Sequence, residues 1–265
     1  MSWEQAVSWL KQQPDQSELV RACFYDDPLL RAAERYAASD EWRAVRAMLP
    51  PPPGKALDVG AGRGISSFAL ARDGWDTVAL EPNNSAAVGA EAIRGLAVEA
   101  GLHIDVIGQW GENLPFPDKN FDLVHCRQVL HHAQDLPQLC REIGRVLKPG
   151  GAFIATREHV ISRQEDLDVF LAGHPLHRLY GGENAYLLLQ YLSAIRNGGI
   201  ELTSVLNPFQ SIINLYPQTM AGLKRQIVAK LRLPRIVPIP DFALGLLGAM
   251  NKSPGRLFTF VGHKR

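Results

Sequence analysis

Three glycines stand at alternate positions behind an acid in Leu57-Asp58-Val59-Gly60-Ala61-Gly62-Arg63-Gly64. Gly60 and Gly62 let the backbone turn tightly and approach a ligand where a Cβ would clash. Gly64 lets a helix start close to a sheet, with free N–H groups turned to polar ligand atoms. Glu81 follows about 20 residues on, where an acid accepts hydrogen bonds from both hydroxyls of a ribose. The bland alternatives are a tight turn without a ligand and a bare surface glutamate. The dinucleotide loop G-x-G-x-x-G holds a pyrophosphate. Here the third glycine comes one residue sooner. Asp58 would repel a pyrophosphate but suits a cationic amino group, directly or through water. The loop alone does not separate a nicotinamide dinucleotide from S-adenosylmethionine, but its spacing and Asp58 favour the sulfonium cofactor.

Eight histidines supply the candidates for proton transfer, since imidazole titrates near neutral pH. Methyl transfer from a sulfonium needs alignment above all, and a base only where the acceptor carries a proton. Position sorts the histidines. His103 and His263 fall at strand ends away from the expected cleft, and His125 inside a strand reads as core. His131 and His132 follow the carboxyl end of the fourth strand, and Glu158 and His159 leave the fifth, both over the cleft. His131 and His159 are the catalytic candidates, His131 being preferred on the family resemblance set out below, with a backbone-bonded helix-start histidine as its plainer reading. His132 and Glu158 are candidate substrate contacts. His174, His177, Arg178 and Tyr180 join them, in a segment between glycines that reads as a lid or a solvated connector. No metal is expected. His174 and His177 are separated by Pro175, and no cysteine accompanies them.

These residues need an alternating framework. Apolar spacing makes residues 1 to about 49 helical, and the four prolines from Pro50 to Pro53 close that segment. Strands are expected at Ala56–Val59, Thr77–Leu80, His103–Ile107, Phe121–Arg127 and Ala152–Thr156. The intervening helices span Ile65–Arg72, Ser85–Ala100 and Leu136–Leu147. Strands spaced this way imply right-handed crossovers and a parallel sheet. A helix over Asn184–Asn197 and a strand over Ile200–Leu206 follow. Residues 208–255 read as a proline-punctuated helical insertion before a last strand, Arg256–Val261.

Four stretches in this order resemble class I S-adenosylmethionine-dependent methyltransferases, and the subgroup that includes ubiquinone-biosynthesis enzymes: LDVGAGRG (57–64), ALEPN (79–83), GENLPFPDKNFDLVHCRQVLHH (111–132) and REIGRVLKPGGAFIATREH (141–159). The resemblance implies an α/β, Rossmann-like, seven-stranded sheet of order 3-2-1-4-5-7-6. Its last strand is antiparallel and helices lie on both faces, with an N-terminal helical segment and a helical insertion added. It implies a helical cap over 1–50 and a cofactor domain over 51–265, with 160–183 and 208–255 as lid or substrate-side insertions. The expected cofactor is S-adenosyl-L-methionine, with S-adenosyl-L-homocysteine as product. Asp58, Gly60, Ala61, Gly62 and Gly64 would surround the methionine half. Glu81 and Pro82 would hold the ribose, and Arg127 and Gln128 would lie beside the sulfonium. Trp110, Gly111 and Glu112 would meet adenine, with Trp110 at the position where the family usually has an aspartate.

The rest of the chain narrows the function. Net charge is +1, no Lys/Arg run stands out, and no nucleic-acid partner is expected. No apolar run reaches the roughly 18 residues of a membrane span, because Pro238, Pro240 and Asp241 interrupt the greasiest stretch, Arg235 to Met250. The N-terminus lacks the pattern of a signal peptide. Three cysteines, Cys23, Cys126 and Cys140, are scattered, which points to a reducing compartment and the cytoplasm. The expectation is methyl transfer to an oxygen, nitrogen or carbon of a small molecule. The alternative is a non-catalytic or regulatory protein that keeps the fold. For the basic and apolar segment from Leu215 to Met250, packing over the cleft competes with a homodimer surface and a membrane face.

Overall fold

The computed structural model describes residues 1–230, 232 and 239–265. Among the described residues the strands are β1 Lys55–Val59, β2 Asp76–Leu80, β3 Ile104–Ile107, β4 Phe121–Arg127, β5 Leu147–Ile161, β6 Tyr186–Leu187, β7 Ile200–Leu206 and β8 Arg256–Lys264. Helices α1 Trp3–Lys11, α2 Ser17–Ala22, α3 Leu29–Ala37 and α4 Asp40–Arg46 precede the sheet. Helices α5 Ile65–Arg72, α6 Ala90–Ala100 and α7 Leu136–Val146 connect its first strands. The later helices are α8 Asp166–Gly173, α9 His177–Tyr180, α10 Leu188–Asn197, α11 Ile212–Leu215, α12 Met220–Lys230 and α13 Asp241–Met250. The expected insertion over 208–255 includes residues 231 and 233–238, so Arg235 and Pro238 lie outside the described residues.

The sheet runs β3-β2-β1-β4-β5-β8-β7, with β6 pairing β5 off that path. This is the expected order with one short extra strand, so eight strands replace seven. β8 runs antiparallel to both β5 and β7. Register aligns the carboxyl ends of the central strands: Val59 pairs with Leu80 and with Cys126. Gly60, Glu81 and Arg127 therefore leave the sheet side by side. Helices cover both faces. Phe153, Ile143, Tyr191 and Phe260 pack on one side, and Tyr36, Trp42, Phe68 and Ile154 on the other. Burying each such side chain stabilises the fold by about 1.5–3 kcal/mol.

The fifth strand starts five residues early, at Leu147, and the last runs on to Lys264; three other boundaries differ for local reasons. The helix expected from Ser85 starts at Ala90. Asn83 Oδ1 accepts the Ser85 N–H at 2.8 Å and Ser85 Oγ accepts the Ala87 N–H at 3.0 Å, so these side chains compete with helical bonding. The helix expected from Asn184 starts at Leu188, because Tyr186 and Leu187 pair with β5. The fifth strand runs to Ile161 instead of Thr156. Its register against β8 shifts between Ala155 and Glu158, and Arg157 within the bulge has φ 60°. Glu158 and His159 thus sit inside a kinked strand rather than leaving its end.

Candidate active site

A cavity of about 810 Å³ opens at the carboxyl edge of the sheet, toward the upper end of the roughly 300–1,000 Å³ typical of ligand pockets. Its lining includes the glycine loop and Glu81, from the ends of β1 and β2, and, from beyond β4 on the other side of β1, His131, His132, His174, Tyr180 and Glu183. Helices α1 and α2 and the turn after them contribute Trp3, Leu19, Cys23 and Tyr25.

The glycine loop is built by packing as much as by any ligand. Gly60 has φ +61°, and a Cβ there would lie 2.7 Å from Val129 Cγ2. Gly64, at the start of α5 with φ +83°, faces Ile93, whose Cγ2 would stand 3.0 Å from an added Cβ. Gly64 does not line the cavity. Asp58 is on the wall, but Ser67 Oγ donates to its Oδ2 at 2.6 Å and His125 Nδ1 lies 2.8 Å from its Oδ1. The core histidine read from sequence therefore anchors the acid.

Glu81 differs. Its Oε2 accepts the Gly62 N–H at 2.8 Å and its Oε1 the Asn83 N–H at 2.9 Å. Each oxygen keeps a lone pair for a further donor. Burial pushes its pKa up to about 7, against the opposing pull of the two backbone N–H groups. Ala61, Gly62, Pro82, Trp110, Gly111, Glu112 and Gln128 also line the cavity. Trp110 is 61% exposed, so its ring stands free at the cavity mouth. The Glu112 carboxylate accepts the Gln134 N–H at 3.0 Å. Arg127 lines the wall, but its Nε donates to Glu41 Oε1 at 2.8 Å and its Nη2 to Glu41 Oε2 at 3.2 Å. Its guanidinium also lies over the rings of Phe24 and Tyr36. The cation is thereby held by the N-terminal helices.

The other end is a histidine and carboxylate cluster. His131 is fully buried in a 3₁₀ turn, with Nδ1 2.7 Å from Glu158 Oε2 and Nε2 3.7 Å from Glu183 Oε2. Burial works against its charge, but Glu158 and Glu183 outweigh it and hold the pKa at about 9. At neutral pH that imidazole carries its proton and is not free as a base. Glu158 does not line the cavity. It accepts the Val129 and His131 N–H groups, both at 3.1 Å, besides the His131 ring, so it orients His131 instead of touching substrate. His159 also lies behind the wall, its ring 4.7 Å from that of His131, with Nδ1 donating to the Gly255 carbonyl at 2.8 Å. His177 and Arg178 are likewise off the cavity. Glu183 was not among the sequence candidates. Tyr180 donates to its Oε1 at 2.8 Å, and although burial opposes its charge, the surrounding histidines hold its pKa well below the usual carboxylate range. Its sequence signal is the pair Gly181-Gly182 just before it.

Comparison with known proteins agrees with this geometry. Residues 57–155 match the methyltransferase-domain family. The chain is 33% identical over 119 residues to the uncharacterized methyltransferase YcgJ of Bacillus subtilis, covering 44% of this chain and 45% of that one. It is 35% identical over 99 residues to a ubiquinone biosynthesis O-methyltransferase of Methylobacterium nodulans, covering 37% of this chain and 39% of that one. The matches thus span under half of those relatives' lengths. In fold, the chain is similar to geranyl diphosphate C-methyltransferase of Streptomyces coelicolor, solved with S-adenosyl-L-homocysteine. The TM-score is 0.63 at 15% identity, covering 96% of this chain and 83% of that one. Residues 57–155 therefore form a domain of the methyltransferase family. No helix among the described residues is long and apolar enough to cross a membrane.

Proposed function

We propose that the chain transfers the methyl group of S-adenosylmethionine to a small-molecule acceptor. The observation that carries this reading is the single cavity joining Glu81 and the glycine loop to the His131–Glu183 cluster. In this reading Glu81 accepts both ribose hydroxyls and the loop from Gly60 to Gly62 follows the methionine half. The exposed Trp110 covers adenine, and the Gly111 backbone and Glu112 border it. The acceptor lies at the other end, against His131, His132, His174, Tyr180 and Glu183, which would place its nucleophile in line with methyl and sulfur. Alignment at near-contact distance is the main catalytic demand. Glu183 is the carboxylate that faces this space, so it is the residue positioned to orient a donor group on the acceptor.

Calorimetry with S-adenosyl-L-homocysteine, S-adenosylmethionine and NAD tests the reading. Saturable micromolar binding of both sulfur compounds is expected. Binding of NAD and of neither sulfur compound would overturn it. The carrier observation is lost equally if Tyr180→Ala and Glu183→Gln weaken the cofactor as much as Glu81→Ala does, since they are assigned to the opposite end.

A further inference from the structure

The geometry points to a divalent-cation site formed by His131, His159 and Glu183, of the borderline-soft class that Zn²⁺ represents. Its placement at the acceptor end rests on the methyl-transfer reading. One ligand atom from each residue lies within 4.8 Å of the others, and all three residues are buried. The Nε2 atoms of His131 and His159 have no hydrogen-bond partner. A buried polar atom left unpaired is costly, so two beside one carboxylate call for a physical reason.

The opposite ring atoms supply it. His131 Nδ1 meets the Glu158 carboxylate at 2.7 Å, and His159 Nδ1 meets the Gly255 carbonyl at 2.8 Å. A carbonyl only accepts, and this carboxylate already accepts two backbone N–H groups, so each Nδ1 is the protonated atom. The His159 ring, kept neutral by burial, then has a bare Nε2 lone pair, while His131 gives up its Nε2 proton when a cation takes that place beside Glu183. An imidazole whose second nitrogen donates to a carboxylate or carbonyl is the arrangement that fixes metal-bound histidines. Glu158 and Glu183 also supply the negative charge that a buried dication needs.

Distances set what must move. Metal bonds of about 2.0–2.2 Å bring ligand atoms to roughly 3–3.5 Å apart, against 3.7 Å between His131 Nε2 and Glu183 Oε2. A shift of about an ångström closes the set, and Gly181 and Gly182, at φ 73° and 80°, precede Glu183. His132 Nε2, 3.8 Å from Glu183 Oε2, is the next donor at hand. His131 and Glu183 line the cavity, so the remaining position opens toward the acceptor. Two imidazoles favour a Zn²⁺-type ion over Mg²⁺, which prefers oxygen. The pair weighed from sequence, His174 and His177, is not this set.

The test is titration of untagged, chelator-treated protein with Co²⁺, followed by visible absorption. Expected is a 1:1 uptake with ligand-field bands that Zn²⁺ removes and Mg²⁺ does not. Glu183→Gln, on a loop, and His159→Gln should each weaken uptake by about tenfold or more, while the exposed His103→Gln leaves it unchanged. Wild-type protein without such bands, or equal affinity in Glu183→Gln, would overturn the site. Calorimetry with S-adenosyl-L-homocysteine on the same sample separates the readings. Retained cofactor binding without Co²⁺ uptake refutes the cation site alone, whereas lost cofactor binding refutes the methyl-transfer reading.

Discussion

Glu81→Gln isolates the charge that the cofactor should meet. The wild-type carboxylate accepts one backbone N–H on each oxygen, at 2.8 and 2.9 Å. Gln keeps a single acceptor oxygen and turns an NH₂ group toward Gly62 or Asn83. Two charge-assisted bonds to ribose hydroxyls become one neutral bond, a loss of roughly 2–4 kcal/mol in binding. That corresponds to about 30- to 1,000-fold in the dissociation constant for S-adenosyl-L-homocysteine. The pH dependence sharpens the test. In the free protein burial pushes the Glu81 pKa up to about 7. Hydroxyl donors from the ribose favour the ionised form, so the bound pKa lies below the free one. Binding then expels a proton at pH values between the two, and affinity rises with pH by up to about tenfold per unit before levelling above 7. Calorimetry from pH 5.5 to 8.5, in buffers of different ionisation enthalpy, reads both affinity and proton release. In Glu81→Gln this pH dependence should vanish. A flat wild-type profile, or wild-type affinity in the variant, would place the ribose elsewhere.

Two further substitutions separate ligand contact from packing. Trp110→Ala should weaken S-adenosyl-L-homocysteine by on the order of 1 kcal/mol without changing the melting temperature, because the ring is 61% exposed; unchanged affinity would remove Trp110 from the adenine site. Gly64→Ala should cost about 1–3 kcal/mol of stability in denaturant unfolding, since the residue has φ +83° and faces Ile93. Cofactor affinity in the folded fraction should stay at the wild-type value. A weakened cofactor with undiminished stability would mean that Gly64 touches the ligand after all.

The parts legible in the sequence are those that local chemistry decides. The strand-to-helix turn at Gly60–Gly64 and the acid ending β2 follow from backbone sterics and spacing. The strand order follows from the resemblance carried by residues 57–159. Partnerships between distant residues were not legible. Nothing near Asp58 in sequence announces that Ser67 and His125 hold its carboxylate. Arg127 reads as a neighbour of the sulfonium, yet Glu41, in a helix of the N-terminal segment, binds it. Glu158 and His159 read as residues leaving a strand because nothing local announces the bulge at Arg157. Glu183 escaped because a lone glutamate after two glycines carries no periodic signal. Only folding brings it to His131.

The family match covers only part of the cavity's lining, and only part of the proposed acceptor end. Residues 57–155 contribute the glycine loop, Glu81, Trp110, His131 and His132. Other lining residues come from outside that range: Trp3, whose ring would meet a Cβ on Gly62 at 3.8 Å, Leu19 and Tyr25 before it, and His174, Leu176, Tyr180 and Glu183 after it. These two outer segments also pack on each other, through Leu10, Val20 and Leu176 with Leu19, Tyr25, Leu179 and Tyr180 around them. The cluster is small beside the two cores that hold the sheet, so parting it exposes little apolar surface and costs correspondingly little. An entrance for an acceptor is therefore best sought between the first two helices and the segment around α9, while the cofactor end stays fixed to the central strands. It follows that relatives aligned over the domain alone say little of the acceptor, since many of the side chains that would select it lie where those alignments do not reach.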